Sequence, residues 1–92
     1  MFKEAGNTAV FTTKFVLFDN KEITTVYHDE DDGAWQFFSD DHFDNYEDVA
    51  KIACLDEIVE MDETILELAE MPAGYYAFRK SKIDKWTIQK RN

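Results

Sequence analysis

The stretch ITTVYHDEDDGAWQFF, residues 23 to 38, decides the fold of this chain. Ile23–His28 is rich in β-branched and aromatic side chains, which favours a strand. Asp29–Gly33 then supplies a turn, because glycine has no Cβ and readily adopts the positive φ that a tight turn requires. Ala34–Phe38 predicts another strand directly after the turn. Two strands joined by an acidic turn are therefore expected here.

The residues before this stretch predict one more strand. Val10–Phe18 alternates two sets of side chains, which is the two-residue period of a strand with one face more apolar than the other. Asp19–Glu22 supplies turn chemistry, because Asp and Asn tolerate a left-handed backbone. We therefore expect Val10–Phe18 and Ile23–His28 to pair as a hairpin, so that the first three strands form a meander.

The second half of the chain contains one ambiguous segment and two clearer strands. Val49–Leu55 is either a buried strand or the first turns of a helix capped by Asn45, since periodicity does not separate the two in so short an apolar run. Tyr75–Arg79 and Trp86–Gln89 predict the last two strands, around a basic loop.

Residues 56 to 70 predict a helical region that packs on the sheet. Asp56 and Asp62 are each expected to be an N-cap, which gives two short helices or one helix with a break at Asp62. Apolar residues recur at three- and four-residue spacing, with acids on the opposite side, at Ile58, Met61, Ile65 and Leu68.

Together these elements predict a single α+β domain over residues 1–92, with a mostly antiparallel sheet of five or six strands and one or two short helices packed on one face. A content of 45% hydrophobic and 15% aromatic residues is too high for a disordered chain. Trp35 and Phe37 point to one side of their strand and are expected to anchor the core, as is Trp86. No signal peptide is recognised and no apolar run approaches the roughly 20 residues of a membrane span, so a soluble, cytoplasmic protein is expected.

The charge is unevenly distributed along the chain, whose net charge is −10. Residues 29–70 contain sixteen acidic side chains and one basic one, whereas residues 71–92 contain six basic and one acidic, and this basic end is expected to fold back onto the acidic middle. An acidic surface repels nucleic acid and anionic membranes, so a basic protein is the predicted partner. The candidate contacts are acids and two aromatics, namely Asp29, Glu30, Asp31, Asp32, Asp40, Asp41, Phe43, Asp44, Tyr46, Glu47 and Asp48.

The acidic stretch matches no metal-binding or catalytic motif. In an alignment of Gly33 with the turn glycine of a calcium loop, His28 stands where the first aspartate should be and Ser39 where the glutamate should be. His28 and His42 lack the spacing of a zinc helix and are interpreted as exposed histidines at turn ends. We therefore expect no metal site, no cofactor and no enzymatic activity.

The order of several landmarks resembles a known family. The landmarks are Val26-Tyr27-His28, the acidic turn, Gly33-Ala34-Trp35-Gln36-Phe37-Phe38-Ser39-Asp40-Asp41, Asp62-Glu63-Thr64-Ile65, Met71-Pro72-Ala73-Gly74 and a closing aromatic strand with Arg79. They are similar to those of small acidic bacterial proteins of uncharacterised biochemistry, some of which are regarded as candidate immunity proteins of toxin systems. Ala34 is an insertion relative to that pattern, and Gln36 replaces a basic residue. The resemblance implies a strand at Val49–Leu55 and brings no catalytic residues.

Three functional hypotheses follow. The first is a non-enzymatic, immunity-type protein whose acidic surface binds and blocks a basic partner such as a toxin domain. The second is a regulatory or scaffold module that dimerises through an exposed sheet edge such as Trp86–Gln89. The third is a metal-assisted hydrolase that uses His28, His42 and nearby acids.

Overall fold

A computed structural model describes residues 2 to 91, which form one six-stranded sheet with short helices. The strands are β1 (Ala9–Thr13), β2 (Thr25–His28), β3 (Trp35–Phe38), β4 (Ala50–Cys54), β5 (Tyr75–Phe78) and β6 (Thr87–Lys90). The helices are α1 (Lys14–Leu17), α2 (Tyr46–Val49), α3 (Leu55–Met61) and a 3₁₀ helix (Glu63–Leu68). The predicted α+β class is confirmed.

Residues 23 to 38 form the predicted hairpin. β2 and β3 pair antiparallel, with Thr25 opposite Phe38 and His28 opposite Trp35. Gly33 adopts a φ of 71° in the turn between them, and its backbone N–H donates to the carbonyl oxygen of Asp29 at 3.0 Å. Glycine takes this left-handed conformation without the steric cost that a Cβ would add.

The first predicted hairpin is wrong. The strand order is β4-β1-β3-β2-β5-β6, so β3 lies between β1 and β2, and β1 runs parallel to β3. β1 also ends at Thr13, because the Thr13 side chain accepts a hydrogen bond from the Val16 backbone at 3.4 Å and caps α1. The expected turn chemistry is confirmed at Asn20, which has a φ of 58°. The alternating apolar pattern beyond Thr13 therefore packs as one helical turn instead of extending the strand.

The ambiguous segment contains both of the structures considered for it. The Asn45 side chain accepts a hydrogen bond from the Glu47 backbone at 3.2 Å and caps the single turn of α2. The chain then becomes extended at Ala50, and β4 pairs antiparallel with β1, with Val10 opposite Ala53. The strand that the resemblance favours is thus present, and Asn45 is the cap of a helix that ends before it.

The helical region breaks at Asp62 as expected, but it begins earlier than Asp56. Asp62 Oδ1 accepts from the Thr64 backbone at 3.0 Å and caps the 3₁₀ helix. The prediction that Asp56 is an N-cap is wrong, because α3 starts at Leu55 with Cys54 as its N-cap residue. The Cys54 N–H donates to Glu57 Oε1 at 3.0 Å, and this bond replaces the expected aspartate cap.

α1, α3 and the 3₁₀ helix pack on one face of the sheet, which we call the covered face. Trp35 and Phe37 lie on it at 2% and 0% exposure, as predicted. The helical stripe packs against them, with Ile58, Ile65 and Leu68 buried and Met61 half-buried at the core edge. Trp86 is also half-buried against this core. Within residues 2–91, no helix has the length and apolar character to cross a membrane.

A buried ion pair ties β5 to the helices. Arg79 Nη2 lies 2.6 Å from Asp62 Oδ2, and the two side chains are 0% and 5% exposed. The same guanidinium donates twice to the carbonyl oxygen of Ile23 and stacks 3.9 Å from the ring of Trp86. Arg79 of the basic end therefore folds back onto Asp62 of the acidic middle, as expected. Because both charges are buried, each needs its partner to offset the cost of removing it from water.

Candidate protein-binding surface

The face of the sheet opposite α3 and the 3₁₀ helix, which we call the open face, carries a row of side chains across all six strands. Residues opposite each other in a ladder project to the same side of the sheet. The strand registers place six residues in one row, in the order Ile52, Phe11, Gln36, Tyr27, Tyr76 and Gln89. A second row contains Phe38, Thr25, Phe78 and Thr87. The open face is thus rich in aromatic residues.

These aromatic residues contact one another while remaining accessible. Phe11 and Phe78 are each 36% exposed and Ile52 is 67% exposed. Tyr27 stacks on Tyr76 with ring centroids 5.7 Å apart, and the Tyr76 hydroxyl donates to the side chain of Gln89. Such ring pairs contribute about 0.5–1.5 kcal/mol each beyond area burial, so the surface is held in a defined arrangement.

Phe43 and Tyr46 extend the open face beyond β3. Both rings contact Phe38, with centroid distances of 6.3 Å to Phe43 and 5.6 Å to Tyr46. The Tyr46 hydroxyl donates to the carbonyl oxygen of Thr12 at 3.2 Å, and burial raises the pKa of the Tyr46 phenol above its ordinary value. The two residues that the sequence suggested as exposed contacts are therefore half-buried members of an aromatic cluster.

The predicted acidic residues form two groups at opposite ends of β3. The acidic turn, Asp29–Asp32, precedes this strand, and the acidic connection, residues 40–48, follows it. The four residues of β3 span about 10 Å at the usual rise of a strand, and Gly33, Ala34 and Ser39 also lie between the two groups. Most of these side chains are exposed, including Glu30, Asp31, Asp32, Asp40, Asp44, Glu47 and Asp48, while Asp29 and Asp41 are half-buried.

Few of these acids are neutralised within the protein. In the part of the chain that the structure describes, Asp29 forms an ion pair with Arg91 at 3.0 Å, and Asp44 Oδ1 lies 3.2 Å from Nε2 of the largely exposed His42. Asp41 accepts a hydrogen bond from the Ser39 hydroxyl, and Asp32 accepts one from the Ala34 backbone. The remaining carboxylates give the ends of the open face a negative potential that reaches about a Debye length into solvent.

Arg91 lies against the open face, beside the acidic turn. Its Cζ atom is 4.5 Å from the ring centroid of Tyr27, and its Nη1 lies 3.0 Å from Asp29 Oδ1. The other oxygen of Asp29 accepts a hydrogen bond from Gln36 Nε2 at 2.7 Å. Arg91 itself is about half exposed. A cation of the chain thus sits between an aromatic ring and a carboxylate at the rim of the surface.

The structure separates the two histidines and corrects the interpretation of His28 as exposed. His28 is half-buried on the covered face, where its ring stacks on Trp35 at 3.8 Å and its Nδ1 lies 2.8 Å from the carbonyl oxygen of Met71. His42 lies in the acidic connection, at the other end of β3. Among residues 2–91, no group of three His, Cys, Asp or Glu side chains is arranged to hold a metal ion.

The open face was missed in the sequence, although a signal for it is present. Several predicted strands carry aromatic residues in both of their alternating sets, as in Trp35-Gln36-Phe37-Phe38. A single short helical region covers only one face of a sheet, so the second aromatic set has to remain on the surface. Gln36 and Arg91 could not be linked to Asp29 in this way, because their contacts depend on the three-dimensional arrangement of distant segments.

Comparisons of the chain with protein-family models, with curated proteins and with solved structures give no match. The resemblance to candidate immunity proteins therefore stays an expectation drawn from the order of landmarks in the sequence. The function has to be inferred from the open face and the charges around it.

Proposed function

We propose that this protein is a non-enzymatic binding domain that docks a basic protein on its open face. The observation that carries the proposal is the row that crosses six strands in register, in which four of the six side chains are apolar or aromatic, while α3 and the 3₁₀ helix pack on the other side of the sheet. Protein interfaces are enriched in Tyr, Phe and Trp at their centre, and they carry polar groups at the rim.

The size of the open face fits an ordinary protein interface. Six strands of four or five residues give the open face a footprint of on the order of 400 Å². The acidic turn and the acidic connection widen this area toward the cross-section of the molecule, which extends 27–28 Å along each principal axis, and a standard complex buries roughly 800 Å² on each partner. The aromatic contacts also fix the rings before binding, which lowers the entropy that association has to remove.

The charge supports a basic partner. The acidic turn and the acidic connection bracket the open face at the two ends of β3, and the whole chain has a net charge of −10. A negative rim steers a basic protein toward the surface and disfavours acidic competitors. An immunity-type role, in which the open face covers and blocks a basic toxin domain, is the specific form of the proposal that the family resemblance supports.

Affinity capture from the native host with matched variants tests this proposal. Ile52→Ser removes an apolar side chain from the open face, whereas Ile83→Ser makes the same change at a loop residue that is 94% exposed and outside both rows. The wild-type and Ile83→Ser proteins should capture the same basic protein, and raised salt should release it. Ile52→Ser and Phe78→Ser should capture clearly less of it. Equal capture by all four proteins, or a captured partner that is acidic, would contradict the proposal.

The homodimer hypothesis has one structural feature in its favour. β6 lies at an edge of the sheet and all four of its residues are exposed, so its outer backbone groups are available for strand pairing. However, Lys90 on this edge and the net charge of −10 oppose the association of identical copies. Light scattering at increasing protein concentration distinguishes the two, and a constant monomer mass is expected.

A further inference from the structure

The contact of Arg91 with the open face has the composition of an arginine-recognition site. The guanidinium meets the face of Tyr27, with 4.5 Å between Cζ and the ring centroid, and it pairs with the carboxylate of Asp29 at 3.0 Å. A planar guanidinium combines stacking on a ring with a directed hydrogen bond to an acid, which the ammonium group of lysine does less well. The arrangement therefore favours arginine over lysine.

The groups that receive the guanidinium are held in place by other parts of the fold. Gln36 donates to the second oxygen of Asp29 at 2.7 Å, which fixes the carboxylate. Tyr27 is fixed by its stacking on Tyr76 and by its edge contact with Phe38, at centroid distances of 5.7 and 5.8 Å. The receiving side of the contact is thus held by contacts within the sheet in which Arg91 takes no part.

The space next to Arg91 is open and strongly acidic. A cavity of about 390 Å³ adjoins the guanidinium and is lined by Asp29, Glu30, Asp31, Asp32, Gly74 and Arg91. Four carboxylates thus line this cavity together with a single cation. A second cationic group approaching this end of the open face finds the local charge still negative after Arg91 is counted.

We propose that Tyr27, Asp29 and Gln36 form an arginine-binding site that Arg91 fills in the free protein and that an arginine of the docked partner takes over. The identity of the partner rests on the function proposed above, whereas the affinity of the site for a guanidinium is a property of this chain alone. Arg91 then acts as an internal competitor. A partner that brings an arginine to this position displaces it, and a partner without one meets an occupied site.

The strength of the competition follows from the exposure of the contact. Arg91 is 49% exposed, so its ion pair with Asp29 and its contact with Tyr27 are both weakened by water. Contacts of this kind hold a site closed in roughly nine molecules out of ten, which weakens the apparent affinity for an outside arginine about tenfold. Removing the Arg91 side chain should therefore raise the apparent affinity for an outside arginine by about this factor.

The test is a titration with N-acetylarginine amide, in which binding is measured from the shifts of the NMR signals of Tyr27 and Gln36. The matched control is Lys90→Ala, which removes the same charge from the neighbouring residue. Lys90 lies opposite Tyr75 and projects to the covered face, so this substitution leaves the arginine-binding site untouched. Arg91→Ala should bind the arginine amide about five- to tenfold more tightly than the wild type and Lys90→Ala. Equal affinities of Arg91→Ala and Lys90→Ala would overturn the proposal.

Two further measurements separate recognition from general attraction of cations. Arg91→Ala should bind N-acetyllysine amide more weakly than the arginine amide, and the added substitution Tyr27→Leu should abolish this preference. Equal binding of the two amides to Arg91→Ala would overturn an arginine site. If Arg91→Ala shifts signals throughout the sheet, Arg91→Gln, which keeps most of the side chain and removes its charge, is titrated under the same criteria.

The outcome is independent of the capture experiment. Loss of partner capture in Ile52→Ser and Phe78→Ser concerns the open face as a docking surface. Phe78 pairs with Thr87, four residues before Arg91, and Ile52 lies on β4 at the opposite edge of the sheet from β6. A failed titration with intact capture would remove the arginine site and keep the proposed function. A successful titration with capture unaffected by the open-face variants would keep the arginine site and remove the proposed function.

Discussion

Replacing Arg79 by methionine should destabilise the fold more than any surface substitution. Methionine keeps much of the aliphatic length of arginine but removes a guanidinium whose side chain is fully buried. The loss breaks the ion pair with Asp62 at 2.6 Å and leaves the carbonyl oxygen of Ile23 without its two donors at 2.9 and 3.1 Å. It also removes the contact of the cation with Trp86.

The broken ion pair sets the scale of the cost. Removing one partner of a buried ion pair costs about 3–5 kcal/mol, because the other charge stays buried without compensation. This figure leaves out the orphaned carbonyl, which costs about 1–3 kcal/mol, and the lost cation–π contact, which contributes about 2 kcal/mol, so the ion pair alone gives a lower limit. Domains of this size have a total free energy of unfolding of roughly 5–14 kcal/mol. A loss near 4 kcal/mol is therefore a large share of the stability.

Urea unfolding, monitored by tryptophan fluorescence, measures the change in the free energy of unfolding caused by Arg79→Met. Lys80→Met is the matched control, because Lys80 is exposed and adjacent, and its replacement should change the free energy of unfolding by less than about 0.5 kcal/mol. In the Arg79→Met background, Asp62→Asn should cost less than it does in the wild type, since the unpaired charge is then removed. A loss below about 1 kcal/mol for Arg79→Met, with no coupling to Asp62, would refute the reasoning.

Three further outcomes are expected. Gly33→Ala should cost about 1 kcal/mol in urea unfolding, because φ is 71° and no atom of another segment crowds the added Cβ; a neutral effect would contradict the need for glycine. Phe37→Ala should lower the free energy of unfolding by about 3–5 kcal/mol and Phe78→Ala by less than half of that, because Phe37 is 0% and Phe78 is 36% exposed. Equal losses of stability would place Phe78 in the core. Replacing Asp31 and Asp32 together by Ser should slow association with the captured partner severalfold at low salt and little at high salt, because salt screens the charges that steer it. Stopped-flow mixing measures the association rate, and an unchanged rate at low salt would show that the acidic turn does not steer the partner.

The central hairpin could be predicted from the sequence because its signals are local. The β-branched run before the turn, the glycine within it and the aromatic strand after it are contiguous, and β2 and β3 pair in the expected way. The position of β1 could not be predicted, since its pairing with β3 and β4 joins distant segments. The pattern after Thr13 is compatible with a strand and with a helical turn, and the side chain of Thr13 decides it by capping α1.

The candidate site was predicted only at its rim. The acids at both ends of β3 can be identified from charge alone, because side chains in such runs remain in solvent. The aromatic centre could not be predicted from composition, because only the strand registers show that Phe11, Tyr27 and Phe78 share the uncovered side. Short strands with aromatic residues in both alternating sets therefore indicate a surface as well as a core when few helices are available to cover the sheet.

The most direct measurement of the central claim is an NMR footprint of the captured partner on this protein. Aromatic side-chain signals of Phe11, Tyr27 and Phe78 report on the open face, whereas those of Trp35 and Phe37 report on the covered face. Binding of the partner should shift and broaden the first group and leave the second nearly unchanged. Changes confined to the covered face and its helices, with an unaltered open face, would contradict the account.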